Sequence, residues 1–161
     1  MSNSLVKNKV GILLERGGEL LLIREKDADG NYLWNIIKGT FEPENDKNYF
    51  DAALRECKEE VNVEVKLTHL LNIVYLCDEK KQKYINQFNF IAVIEKGEPH
   101  VSGKESQAKL NEDISEIHWF SKEQLLGIPK EDFFSGRTFL ATRNWIDGVR
   151  FDLDILRFIE E

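Results

Sequence analysis

The segment from Phe50 to Val61 constrains the fold of this chain more than any other. Phe50, Ala53, Leu54, Cys57 and Val61 recur at offsets of three, four and seven, the spacing that lines one side of an α-helix with apolar groups. Inside that stripe runs Arg55-Glu56-Cys57-Lys58-Glu59-Glu60. At about 100° per residue, Glu56, Glu59 and Glu60 fall within an arc of about 100° on the flank away from the stripe. Side chains three and four apart meet on a helix surface, so these like charges repel by roughly tenths of a kcal/mol per pair. A hard divalent cation reverses that repulsion, because Mg²⁺ prefers oxygen ligands and keeps waters for reaction. Arg55, four residues before Glu59, is placed to hold that carboxylate or to meet substrate charge. In a chain with 29 acidic residues, the same string also arises as a plain solvated helix face.

The segments around this helix are mostly strand-like. Val10 to Leu14 and Leu20 to Ile23 flank a Gly17-Gly18 centre and predict a β-hairpin. Tyr32 to Ile37 is a further strand, and Glu42 to Lys47 a polar loop leading into the helix. Val63 to Tyr75 and Tyr84 to Ile94 read as strands joined by the polar link Asp78 to Lys83. Glu95 to Asp113 is polar, with Gly97, Pro99 and Gly103, and reads as a long surface loop. Ile114 to Phe120 returns to strand, and Ser121 with Gln124 predicts a capped short helix. Thr138 to Ile146 and Leu153 to Ile159 read as two helices around Gly148. Strands and helices mix without regular βαβ alternation, which predicts an α+β fold.

Charge and cysteine content narrow the function. A net charge of −7 argues against non-specific nucleic-acid binding, which needs Lys and Arg to displace phosphate counterions. An acidic protein still binds a polyanionic small molecule where metal ions mediate the contact. Cys57 and Cys77 make no CxxC spacing, so neither a disulfide framework nor a zinc site is expected. Cys57 lies on the apolar stripe and reads as packing. No apolar run is long enough for a membrane span, and a cytoplasmic location is expected.

Gly39 to Pro43 followed by Ala52-Ala53-Leu54-Arg55-Glu56-Cys57-Lys58-Glu59-Glu60-Val61-Asn62-Val63 resembles the Nudix box. That signature is a glycine, a glutamate, then Arg-Glu-apolar-x-Glu-Glu-x-Gly-apolar on a loop-helix-loop. Here two additional residues separate the glycine from the arginine. Glu44 and Asp46 flank the position of the first glutamate, and Asn62 replaces the last glycine. Asn tolerates the left-handed conformation. Trp34 to Gly39 is similar to the Trp-x-x-Pro-Lys-Gly lead-in of some Nudix enzymes, with Ile37 at the proline. The resemblance implies one domain over 1–161 with C-terminal helices from about 138 packing on it, built as an α/β/α sandwich with a mixed sheet between helices. It implies Mg²⁺ or Mn²⁺ held by Glu56, Glu59 and Glu60, and Arg55 orienting a catalytic glutamate. The implied activity is metal-dependent hydrolysis of the diphosphate linkage in a nucleoside diphosphate joined to a group X. The alternative is a Nudix-fold nucleotide-binding or regulatory module with weak or no hydrolysis.

A general base comes from the box or from a later loop. Glu59, Glu112, Asp113 and Glu116 are the candidates, with Glu112 and Asp113 preferred outside the box. Lys38 and Arg24 are candidate phosphate contacts, each also readable as an exposed strand-end cation. Trp34, Phe41 and Tyr75 are candidate stacking groups for a base, against the alternative of core packing. The partner expected is a small nucleotide-like molecule, and the chain is expected as a monomer or homodimer.

Overall fold

The computed structural model describes residues 6–161. Strands β1 (Lys7–Arg16) and β2 (Glu19–Lys26) are joined through Gly17 and Gly18. Both glycines have positive φ, 57° and 81°, as a two-residue turn matching strand twist demands. The predicted hairpin is thus present, but it pairs only next to the turn, at Glu15↔Leu20 and Arg16↔Glu19. Beyond it the strands part. Val10 to Leu14 of β1 is wholly buried, and a strand apolar on both sides belongs inside a sheet, with partners on each edge.

Those partners are β4 (Ile37–Thr40), antiparallel, and β6 (Lys83–Lys96), parallel. Strand β2 pairs instead with β3 (Tyr32–Asn35) and β7 (Ile114–Ser121). The single strand expected over Tyr32 to Ile37 is therefore two. Asn35 supplies the break: its Oδ1 accepts from the Ile36 amide at 3.0 Å and from Thr138 Oγ1 at 2.6 Å, so a side chain meets a backbone group that would otherwise need a strand neighbour. Strand β5 (Glu64–Asp78) completes the sheet by pairing antiparallel with β6. Among the described residues this is a mixed seven-stranded sheet.

Helix α1 (Tyr49–Val61) covers one face. Its start is local: Asn48 accepts from the Phe50 and Asp51 amides at 2.9 and 3.1 Å. It stops at Asn62, left-handed at φ 60°, as expected for the residue standing at the box's last glycine. The buried side differs from the predicted stripe. Leu54 is 40% exposed, while Ala52, Glu56 and Glu60 are buried beside Ala53, Cys57 and Val61. The helix is rotated so that two of its carboxylates lie in the seam against the sheet instead of on the outer flank.

The opposite face is covered by α3 (Lys122–Leu126) and α4 (Gly136–Ile146), through Leu125, Ala141 and Trp145 packed with Leu13, Leu20 and Ile91. The Ser121/Gln124 capping box forms as predicted. Two expectations fail. The loop from Glu95 to Asp113 contains α2 (Lys104–Lys109), which buries only Gln107 and so leaves no apolar period to read. The helix expected over Leu153 to Ile159 is a single 3-10 turn, Leu153–Ile155. Ile155 and Ile159 are 67% and 82% exposed, while Phe158 packs on Tyr49 and Phe50; the apolar groups lie on no common helical side. The architecture is helix, mixed sheet, helix. No helix among the described residues is long and apolar enough to cross a membrane, and both cysteines are free.

Candidate active site

The site is built where β4 passes under α1. Gly39 pairs with Val10 of β1, and a Cβ placed on it would overlap the Glu56 carboxylate. The glycine is needed for space, since its φ is not among the positive ones. Gly39→Ala is expected to push Glu56 from its place, seen as loss of the Arg55–Glu56 contact in a structure of the variant. Circular dichroism should show the folded state retained.

Arg55 uses every donor it has. Nε and Nη2 donate to the two oxygens of Asp46 at 2.9 and 2.8 Å, and Nη2 also donates to the Thr40 carbonyl at 3.0 Å. Nη1 donates to Glu56 Oε1 at 2.7 Å and to Glu59 Oε2 at 3.3 Å. A guanidinium has five N–H groups, so none is left for a ligand. Arg55 is a positioning residue that ties the loop before α1 to two of its glutamates. Hydrogen bonds from Arg55 hold the Asp46 carboxyl below its ordinary value, and the same bonds raise Arg55 further.

Glu112, on the segment between α2 and β7, brings a third carboxylate. Oxygens of Glu56, Glu59 and Glu112 all lie within 4.8 Å of one another. Burial pushes the Glu56 carboxyl up to about 7, against the nearby Arg55 charge. Burial, with Glu59 and Glu25 adding repulsion, likewise raises Glu112 to about 7. One oxygen of Glu112, Oε2, is buried with no hydrogen-bond partner. Glu60 stands apart from the trio. It is only 4% exposed, accepts from the Lys38 amide at 3.3 Å, and burial drives its carboxyl well above the usual range.

These groups line a cleft of about 500 Å³ together with Lys38 and Glu25. Lys38 Nζ lies 3.5 Å from Glu25, whose carboxylate also accepts from Asn35 at 2.8 Å. The other candidates from the sequence lie elsewhere. Asp113 faces Lys26 at 3.8 Å, and Glu116 is paired with Arg24 at 3.1 Å. Trp34 packs edge-on against Phe120, with Arg24 over its ring. Phe41 packs against Tyr49, and Tyr75 is 60% exposed on β5. Two residues of the site have no assigned role in the sequence reading. Asp46 was noted only as a flanking acid. Its signal is the length of the loop, which lets an aspartate nine residues before Arg55 fold back onto it. Glu25 has no local signal, because strand pairing alone delivers it.

The NUDIX domain family model matches residues 6–142. A NUDIX hydrolase from Nitrosomonas europaea has a TM-score of 0.79 at 19% identity, over 96% of this chain and 98% of that one. A MutT NUDIX hydrolase from Burkholderia pseudomallei has a TM-score of 0.69 at 21% identity, over 87% and 98%. An ADP-ribose pyrophosphatase from Streptococcus suis has a TM-score of 0.58 at 16% identity, over 89% and 92%. At these identities the likeness is one of fold. No curated protein sequence matches the chain. Because the family match runs from the first strand through α1 and into α4, the chain belongs to the NUDIX family.

Proposed function

We propose that the chain is a metal-dependent hydrolase that cleaves the diphosphate linkage of a nucleoside diphosphate joined to a group X. The observation supporting this most directly is the convergence of Glu56, Glu59 and Glu112 in one cleft. The donor set fits a hard cation: all oxygen, partly buried, with one oxygen of Glu112 lacking any partner. Glu56 and Glu59 are the proposed ligands from α1, with Glu60 behind them. A bound Mg²⁺ or Mn²⁺ supplies neutralisation of phosphate oxygens and a lowered pKa for a coordinated water.

The chain's own groups do the rest. Arg55 fixes the Glu56 and Glu59 carboxylates before substrate arrives, so little is spent ordering them. Glu112 faces them across the cleft, where its carboxylate can take the proton of the attacking water. A base whose value lies near 7 is matched to that task at neutral pH. Lys38, held between Glu25 and the cleft, meets phosphate oxygens.

Incubation with Mg²⁺ or Mn²⁺ and a panel of ADP-ribose, dinucleoside polyphosphates, nucleoside triphosphates and nucleotide sugars tests this reading. Phosphate-containing products should form with metal and vanish with EDTA. Tight binding of a nucleotide with no turnover on any member would establish the regulatory module instead.

A further inference from the structure

The side of the sheet facing α4 carries a concentration of positive charge that the proposed chemistry leaves unused. On β1, Lys7, Lys9 and Gly11 share one face, since alternate strand residues point the same way. Their register sets them beside Ile85, Gln87 and Asn89 of β6. Across β1 on the other side, Thr40 opposes Lys9 and Lys38 opposes Gly11. Lys9 and Lys38 are therefore diagonal neighbours about 7–8 Å apart. Lys7, Lys9 and Lys83 line a hollow of about 390 Å³. Lys83 also lines an adjoining one of about 340 Å³ with Arg137, Gly136 and Ser135 at the start of α4.

Among the described residues, the cations Lys7, Lys9, Lys83 and Arg137 form no close ion pairs. Asp78 stands opposite Lys83 across the β5–β6 pairing, but its carboxylate turns to Lys81 at 3.9 Å. In a chain of net charge −7, four cations without close ion pairs gather on one face, Lys7 and Lys83 exposed and Lys9 and Arg137 half-buried. Burial and the charges of Lys38, Arg137, Lys83 and Lys7 push the Lys9 ammonium down to about 8. An anion entering the groove would relieve that repulsion.

The groove also rests on a support. Arg137 Nη1 donates to Gln87 Oε1 at 2.7 Å, Gln87 donates to Asn89 at 2.8 Å, and Asn89 donates to Asn72 at 2.7 Å. Asn72 in turn donates to Asn144 of α4 at 2.8 Å. Gln87 and Asn89 are almost fully buried. A Cβ on Gly11 would overlap Asn89 Oδ1, so the glycine makes room for the chain of amides. A buried polar chain with its members satisfied holds its end group in place. Its end group is Arg137.

We propose that this groove binds a phosphate monoester carried on the substrate beyond the diphosphate that is cut, so that the preferred molecules hold a second anionic group. Lys38 lines the acidic cleft and is the diagonal neighbour of Lys9, which lines the groove, so the two sites lie one residue pair apart. The inference rests on the hydrolase reading for the place of the scissile linkage, but its test does not.

Calorimetry on the full chain without metal can compare coenzyme A with dephospho-coenzyme A, and NADPH with NADH, each pair differing by one phosphate monoester. The phosphate-bearing member should bind roughly ten- to a hundredfold more tightly, the scale of a charge-assisted contact. That preference should shrink several-fold in each of Lys9→Gln, Arg137→Gln and the exposed Lys83→Gln, which share the contact, and fall to within about twofold in the triple variant. Lys9→Arg and the distant Lys66→Gln should keep it. Equal affinity within both pairs in the unmodified chain would overturn the proposal, as would a preference untouched by Lys9→Gln and Lys83→Gln. A preference present with no metal-dependent hydrolysis of any substrate would leave the groove standing and remove the hydrolase reading.

Discussion

Glu59→Gln is expected to lower kcat by about a thousandfold, equivalent to about 4 kcal/mol of transition-state stabilisation, while leaving the protein folded. The side chain is 30% exposed and accepts one long bond from Arg55 at 3.3 Å, so the fold depends little on its charge. Its charge is instead a cost to the metal-free protein, being one source of the upward push on both Glu56 and Glu112. The sign of the pH effect follows. Both carboxyls sit at about 7 in the folded chain, above about 4.3 for an unfolded glutamate. They therefore penalise folding increasingly as pH rises from about 4 to about 7. With EDTA present, Glu59→Gln should melt slightly above the parent at pH 8. Near pH 5, where its neighbours are protonated, the two should coincide. Unchanged turnover in Glu59→Gln would dismiss the proposed role, and a large drop in Tm would show that the residue is structural.

Arg55→Ala should damage both stability and activity. The guanidinium is 19% exposed, and its partners Asp46 and Glu56 are 1% and 7% exposed. Removing one member of a buried pair strands the other's charge, at a cost of about 3–5 kcal/mol. In a chain of this size about 3 kcal/mol corresponds to roughly a 10 °C fall in Tm. Turnover should fall with it, since Glu56 and Glu59 lose the group that orients them. Arg55→Lys preserves charge but offers three donors without the planar fork, so it should recover only part of either property. Acid unfolding gives an independent reading. Because Asp46 is held below its ordinary value by Arg55, its contribution is complete above about 3.9, the unfolded value, and is lost as pH falls through the lower folded value. In Arg55→Ala that part of the acid slope should disappear. If urea titrations show Arg55→Ala as stable as the parent, the clamp has no energetic weight.

The parts of this protein legible in its sequence are those decided within a few residues. The Asn48 cap, the left-handed Asn62, the Gly17-Gly18 turn and the Ser121 capping box each follow from one side chain meeting a backbone group close by. The helix that carries the carboxylates was readable for the same reason. Its rotation was not. Leu54 fits the apolar period as well as Ala52 does, while the space left by Gly39 lets Glu56 turn inward and Arg55 holds it there.

Whatever depends on chain segments meeting across long separations was decided by the tertiary structure. Glu112, a candidate in the sequence only through the family resemblance, reaches Glu56 and Glu59 from a stretch that reads as polar loop, and Asp113 beside it does not. Asp46 becomes the Arg55 partner because the loop before α1 folds back on itself. Strand pairing alone carries Glu25 into the acidic cleft and sets Lys9 beside Lys38 on a shared face. Local propensity and periodicity encode which groups a segment presents and at what spacing. They carry no information about which distant segment will close against them, because that choice is made by packing the whole sheet and its helices at once.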